Sequence, residues 1–203
     1  MIDDATLAAA EAYVRDFFSR DASGHDVEHT MRVVRTAQRI AVEEGAGQGV
    51  VCLAALLHDV DDAKLSPQTA EHLDNARVFL ADHGVTPHET EAVLTAIREV
   101  SFSKNGGAAP STIEAACVRD ADRLDAVGAI GIARTFAFGG SRGRALHDPS
   151  GQNRQTTIAH FYDKLLLLKD MMCTQAGRRL AEGRDRVLRE FLDEFLAEWN
   201  GER

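Results

Sequence analysis

Apolar positions recur along this chain with the three-to-four-residue period of an α-helix. Strand-type alternation bounded by turn pairs is missing. The spacing predicts a first helix over about 4–19 and a turn at 21–24. A second helix over about 26–44 has Met31, Val34, Ala37, Ile40 and Ala41 on its apolar stripe, and Gly45 and Gly47 end it. Residues 48–59 are almost wholly apolar, which predicts a short buried helix. Residues 69–83 are amphipathic through Leu73, Ala76, Phe79 and Leu80, with Gly84 closing them. Thr86-Pro87-His88-Glu89 has the form of a capping box with proline at the first helical position, and its helix runs to about Val100. A loop over 103–110 contains Gly106-Gly107, and Ser111-Thr112-Ile113-Glu114 reads as a second capping box.

Gly139-Gly140-Ser141-Arg142-Gly143-Arg144 opens a second loop over about 139–155. It is long for a compact domain, and loops of that length are often lids or disordered. Residues 157–172 are apolar almost all round, which predicts a central helix. Residues 175–199 carry Val187, Leu188, Phe191, Leu192, Phe195 and Trp199 on one stripe. No internal repeat or low-complexity tract interrupts the pattern. The expectation is an all-α fold, a single-domain helical bundle over 1–203. Its core covers about 24–138, with C-terminal helices at about 157–199 packed on it.

Composition narrows the function classes. A length of 203 residues fits one domain, and 44% hydrophobic residues suffice for a real core. The net charge of −9 disfavours partners that need a basic footprint, namely nucleic acid and anionic membrane. Anionic small molecules stay open, because a bound metal can dominate the local field. No apolar run approaches the roughly 20 residues of a membrane span. The start, Met1-Ile2-Asp3-Asp4-Ala5, lacks the basic region of a signal peptide. Cys52, Cys117 and Cys173 are odd in number, widely spaced and in apolar contexts. They read as reduced, buried thiols of a cytoplasmic protein.

Three segments carry candidate chemistry. His25 and His29 lie four apart at the start of the second helix and share a face. Alone, that pair fits a solvated helix end equally well. His58-Asp59 ends the apolar run from Val50 to Leu57, where buried polar groups must be offset by hydrogen bonds, ion pairing or a metal. Alone, the doublet could simply emerge into water. Asp120 and Asp122 lie in Val118-Arg119-Asp120-Ala121-Asp122-Arg123-Leu124-Asp125, which also fits a charged surface turn with local arginine pairing. Taken together, each segment brings a ligand to the end of a helix of one bundle, where metal sites commonly assemble. His29, His58, Asp59 and Asp120 would supply two imidazoles and two carboxylates, a shell suited to divalent transition metals.

The order H…HD…D resembles the HD-domain superfamily of metal-dependent phosphohydrolases. Gly24-His25-Asp26-Val27-Glu28-His29-Thr30-Met31-Arg32-Val33 is similar to that family's first ligand helix. Leu53-Ala54-Ala55-Leu56-Leu57-His58-Asp59-Val60 is similar to its doublet helix. The long third motif, from Arg119 to Phe136, resembles the small stand-alone YpgQ-like nucleotide pyrophosphohydrolases of bacteria. The resemblance covers the chain from about Gly24 to the C-terminal helix. It implies an enzyme with His29, His58, Asp59 and Asp120 as ligands of one divalent ion. Manganese is favoured; magnesium, cobalt, nickel, iron and zinc are possible. His25 is implied as a neighbour rather than a ligand. Asp62, three residues after the doublet aspartate, is implied as general base or water orienter. The Gly-Tyr-Pro features of the cyclic-dinucleotide branch are missing.

The implied reaction converts nucleoside or deoxynucleoside triphosphates to monophosphate and pyrophosphate. Phosphomonoesterase, alarmone hydrolase and a non-catalytic nucleotide-sensing module are the alternatives. Charge developing on a phosphoryl group calls for nearby cations. Candidate substrate contacts are His25, Lys64, Arg119, Arg123 and Arg134, each of which fits a surface ion pair as well. His72, His83 and His88 read as surface residues. The partner is a small-molecule nucleotide, with the protein a monomer or homodimer.

Overall fold

The computed structural model describes residues 2–19, 27–100 and 108–203. Among these the regular structure is helical and no strand occurs. The chain forms two compact units, Met1–Asp122 and Arg123–Arg203. The turn expected at 21–24, residue His25 and much of the loop at 103–110 lie outside the described residues.

The first unit is built around an apolar helix. α1 (Asp4–Phe17) is capped by Asp3, whose Oδ1 accepts from the backbone N–H of Thr6 at 2.8 Å. α2 (Val27–Glu44) buries Val33, Val34, Ala37, Ile40 and Ala41 on one stripe. It ends at Gly45 (φ 70°), the left-handed conformation that glycine adopts without strain. Ala46 N–H then bonds the Ala41 carbonyl at 2.9 Å, closing a Schellman-type cap. α3 (Gln48–Leu57) is buried at every position from Val51 to Leu57 and packs against α1, α2 and α5. Fully burying Leu53 and Leu57 contributes about 1.5–3 kcal/mol each.

Helix α4 (Asp74–Asp82) begins later than the amphipathic pattern from Thr69 predicts. Leu73 has φ 56° and ψ 47°, a left-handed conformation through which a right-handed helix cannot run. α5 (Pro87–Val100) matches its expected span. Thr86 Oγ1 accepts from Glu89 N–H at 3.3 Å and donates to Glu89 Oε2 at 2.6 Å, while Glu89 Oε1 accepts from Ile2 N–H. α6 (Ile113–Asp125) is capped by Thr112, not by Ser111 as the second box implied. Ser111 instead donates twice to the Glu99 carboxylate, and Glu114 accepts from Gly47 N–H at 3.0 Å.

In the second unit, α7 (Gly128–Ser141) continues through Gly139 and Gly140, where the glycine pattern implies a loop. A side chain at Gly139 would place its Cβ 2.4 Å from Thr157 Oγ1, so glycine here permits a close approach. The predicted central helix over 157–172 is in fact two pieces. α8 (Thr157–Asp163) ends at Lys164 (φ −139°, ψ −57°), and a 3-10 helix covers Leu165–Met171. α9 (Gln175–Trp199) packs on α7 and on the 3-10 helix. Phe191 stacks on Phe161 and Phe195 on Trp199, with ring centroids 5.8 and 5.7 Å apart. No described helix is long and apolar enough to cross a membrane.

Candidate metal centre

The last turn of α3 fixes the geometry of the doublet. His58 Nδ1 lies 2.8 Å from the Ala55 carbonyl, which can only accept, so Nδ1 carries the proton in that bond. The lone pair is then on Nε2. That atom is buried and has no hydrogen-bond partner. Few buried polar atoms in a folded protein are left so, and each calls for a reason.

His29, on the first turn of α2, brings a second imidazole to the same place. The two rings meet edge to face with centroids 5.4 Å apart. Asp59 Oδ2 lies 3.3 Å from His58 Nε2 and 3.5 Å from His29 Nε2. Ligand atoms of His29, His58 and Asp59 all fall within 4.8 Å of one another. Asp122 approaches from α6, its Oδ1 standing 3.4 Å from His29 Nε2 and 4.0 Å from His58 Nε2. Bonds of about 2.1 Å to a divalent ion space neighbouring donors by roughly 3–3.5 Å, so the cluster could hold one. Burial alone would lower the His58 pKa, but Asp59, helped by Asp122, outweighs it and raises His58 above the ordinary imidazole value.

Three of the four residues expected as ligands thus come together: His29, His58 and Asp59. Asp120, the fourth, is fully buried on α6. At about 100° per residue, positions 120 and 122 project from α6 about 200° apart, so one cluster cannot use both. Asp120 shares its face with Cys117, whose thiol it helps to push up to about 12, after burial and Glu44. The signal for Asp122 lay in helical phase. Asp120 continues the buried stripe of Cys117, Ala121 and Leu124, whereas Asp122 falls off it.

Asp62 is half-buried in the turn after the doublet. Its N–H donates to the Asp59 carbonyl at 3.0 Å, and its Oδ1 accepts from Lys64 N–H at 2.9 Å. Lys64 is exposed. The arginines have internal partners. Arg119 donates to the carbonyls of Glu99 and Ala108, both at 2.6 Å. Arg123 donates to the Met171 carbonyl, and Arg134 pairs with Asp125. His72, His83 and His88 are exposed, as expected. Asp61 went unremarked in the sequence; it is 2% exposed and bonds the first turn of α4.

The chain belongs to the HD domain family, whose model matches residues 26–127, and it is an HD-superfamily hydrolase. It is 39% identical to YpgQ of Bacillus subtilis (strain 168) over 182 residues, covering 89% of this chain and 87% of that one. The crystal structure of an HD-superfamily hydrolase from Bacillus thuringiensis superimposes with a TM-score of 0.82 at 40% identity, covering 96% of both chains. The crystal structure of Bacillus subtilis YpgQ in complex with ADP superimposes with a TM-score of 0.77 at 33% identity. It covers 95% of this chain and 96% of that one.

Proposed function

We propose that this hydrolase is a metal-dependent phosphohydrolase that cleaves nucleoside or deoxynucleoside triphosphates to monophosphate and pyrophosphate. The observation that carries the metal-dependent reading is the buried Nε2 of His58, which makes no hydrogen bond and converges with His29 and Asp59. His29, His58, Asp59 and Asp122 would hold one divalent ion, manganese foremost. Asp122 takes the place of Asp120 in this set because of its 3.4 Å approach to His29. The ADP bound by Bacillus subtilis YpgQ supports a nucleotide as ligand.

When bound, a divalent ion supplies Lewis acidity to a phosphoryl oxygen and to the attacking water. The protein supplies the rest. His58 keeps its Nε2 lone pair directed inward through its bond to Ala55. Asp62, one turn beyond Asp59, would orient the water and accept its proton. Lys64, in the same turn, offers a cation to the phosphate chain. Arg123 and Arg134, engaged with Met171 and Asp125, are assigned no substrate contact.

The test is a panel of nucleotides incubated with the protein and manganese, magnesium, cobalt or nickel, with the products separated. Pyrophosphate and monophosphate are expected. Release of orthophosphate instead would reassign the enzyme to phosphomonoester cleavage. Absence of hydrolysis with every metal would overturn the reading in favour of a binding module. The Asp59→Ala variant should lose both metal and turnover while keeping its helical circular dichroism.

A further inference from the structure

Asp61 separates the doublet from Asp62, and nothing above gives it a part in the reaction. Its buried carboxylate is fully used. Oδ1 accepts from Asn75 N–H at 3.1 Å and Oδ2 from Ala76 N–H at 3.0 Å. Both donors belong to the first turn of α4, where N–H groups have no partner within the helix. Helix caps usually come from the residue just before the helix. Here the cap comes from 14 residues upstream, beside the metal doublet.

Asn75 returns the connection. Its Nδ2 donates to the Val60 carbonyl at 2.9 Å and to Thr69 Oγ1 at 3.1 Å. Two side chains therefore close the segment 62–74 at both ends. The segment's exit is Leu73, the one non-glycine residue with positive φ among the described residues. Such a conformation persists where its surroundings over-determine it, and it clusters at functional sites. Asp62 stands at the entrance. Its carbonyl accepts from Leu65 and Ser66 N–H at 3.0 and 2.7 Å, and its N–H is bound to Asp59.

We propose that Asp61 and Asn75 are positioning residues, whose bonds across the 62–74 segment hold Asp62 at a fixed place beside Asp59. The proposal rests on Asp62 acting on the attacking water, as argued above. A carboxylate that must meet a water molecule tolerates little displacement, and a misplacement of about 1 Å costs on the order of 100-fold in rate.

Asp61→Ala, Asp61→Asn and Asn75→Ala should be made singly and in an Asp62→Asn background. In the otherwise native protein, Asp61→Ala and Asn75→Ala should each lower kcat by roughly 10- to 100-fold. KM and manganese affinity should stay unchanged, and Asp61→Asn, which keeps an acceptor oxygen, should recover part of the loss. In the Asp62→Asn background the same changes should cost nothing further, because they act through Asp62. If Asp61→Ala loses its fold, Asn75→Ala carries the test, since it leaves the backbone bond to Asp61 intact. Additive losses, unchanged kcat, or loss confined to metal affinity would overturn the proposal. Undiminished turnover in Asp62→Asn would overturn it differently, by removing the role of Asp62 itself.

Discussion

Asp122 Oδ1 stands 3.4 Å from His29 Nε2, while Asp120, two residues earlier on the same helix, projects from another face. The two aspartates should therefore fail in different ways. Asp122→Ala is expected to weaken manganese binding by at least 10- to 100-fold, with turnover falling in step. Asp120→Asn should retain the metal but lose about 1–3 kcal/mol of stability, because a buried carboxyl group and its partners are disturbed. Metal analysis after gel filtration, together with thermal melts, separates the two outcomes.

Metal-free protein should lose stability as the pH rises from the acid side. His58 has a raised pKa in the folded chain, so the stabilisation is complete below the ordinary value of 6.5. It disappears as the pH climbs from there through the higher folded value. Manganese needs the neutral imidazole, so its affinity should grow over the same interval. Melting temperatures of chelator-treated protein at successive pH values check the sign. A His58→Gln variant should flatten the dependence.

Cys117 should be inert toward Ellman's reagent at pH 8 until the protein unfolds. Burial, then Glu44 and Asp120, hold its thiol up near 12, leaving almost no thiolate. Cys173 is half-buried and should react first. Because the folded value exceeds the ordinary 9.0, the thiol's contribution is complete below pH 9 and is lost as pH rises toward 12.

Leu53→Ala tests the apolar helix on which the doublet stands. Leu53 is fully buried, and the truncation should cost about 2–5 kcal/mol, read as a lower urea midpoint. Metal binding by the fraction still folded should be unchanged, because His58 and Asp59 keep their place at the end of α3.

The features legible in the sequence were those set by near neighbours. The Thr86 cap and Pro87 located the start of α5, and Gly45 located the end of α2. His58 and Asp59 were conspicuous because they followed an apolar run, and His29 lay on a well-phased amphipathic helix. The misses have distant causes. Thr69 fails to begin α4 because Leu73 turns left-handed and the helix takes its cap from Asp61. Gly139 reads as a loop residue until Thr157 is seen packed against it. Residues 157–172 are too uniformly apolar for their pattern to mark the break at Lys164. The resemblance implied Asp120, and the rotation of α6 is what brings Asp122 within 3.4 Å of His29.

The convergence of His29, His58 and Asp59 also makes the melting temperature an occupancy gauge. A ligand that binds only the folded chain adds about 2.7 kcal/mol of stability at 100 times its dissociation constant. Titrating manganese into chelator-treated protein while following unfolding thus reports affinity with no substrate present. Each candidate metal can be ranked this way before the preferred nucleotide is known, and the ranking tells which ion belongs in the turnover assay.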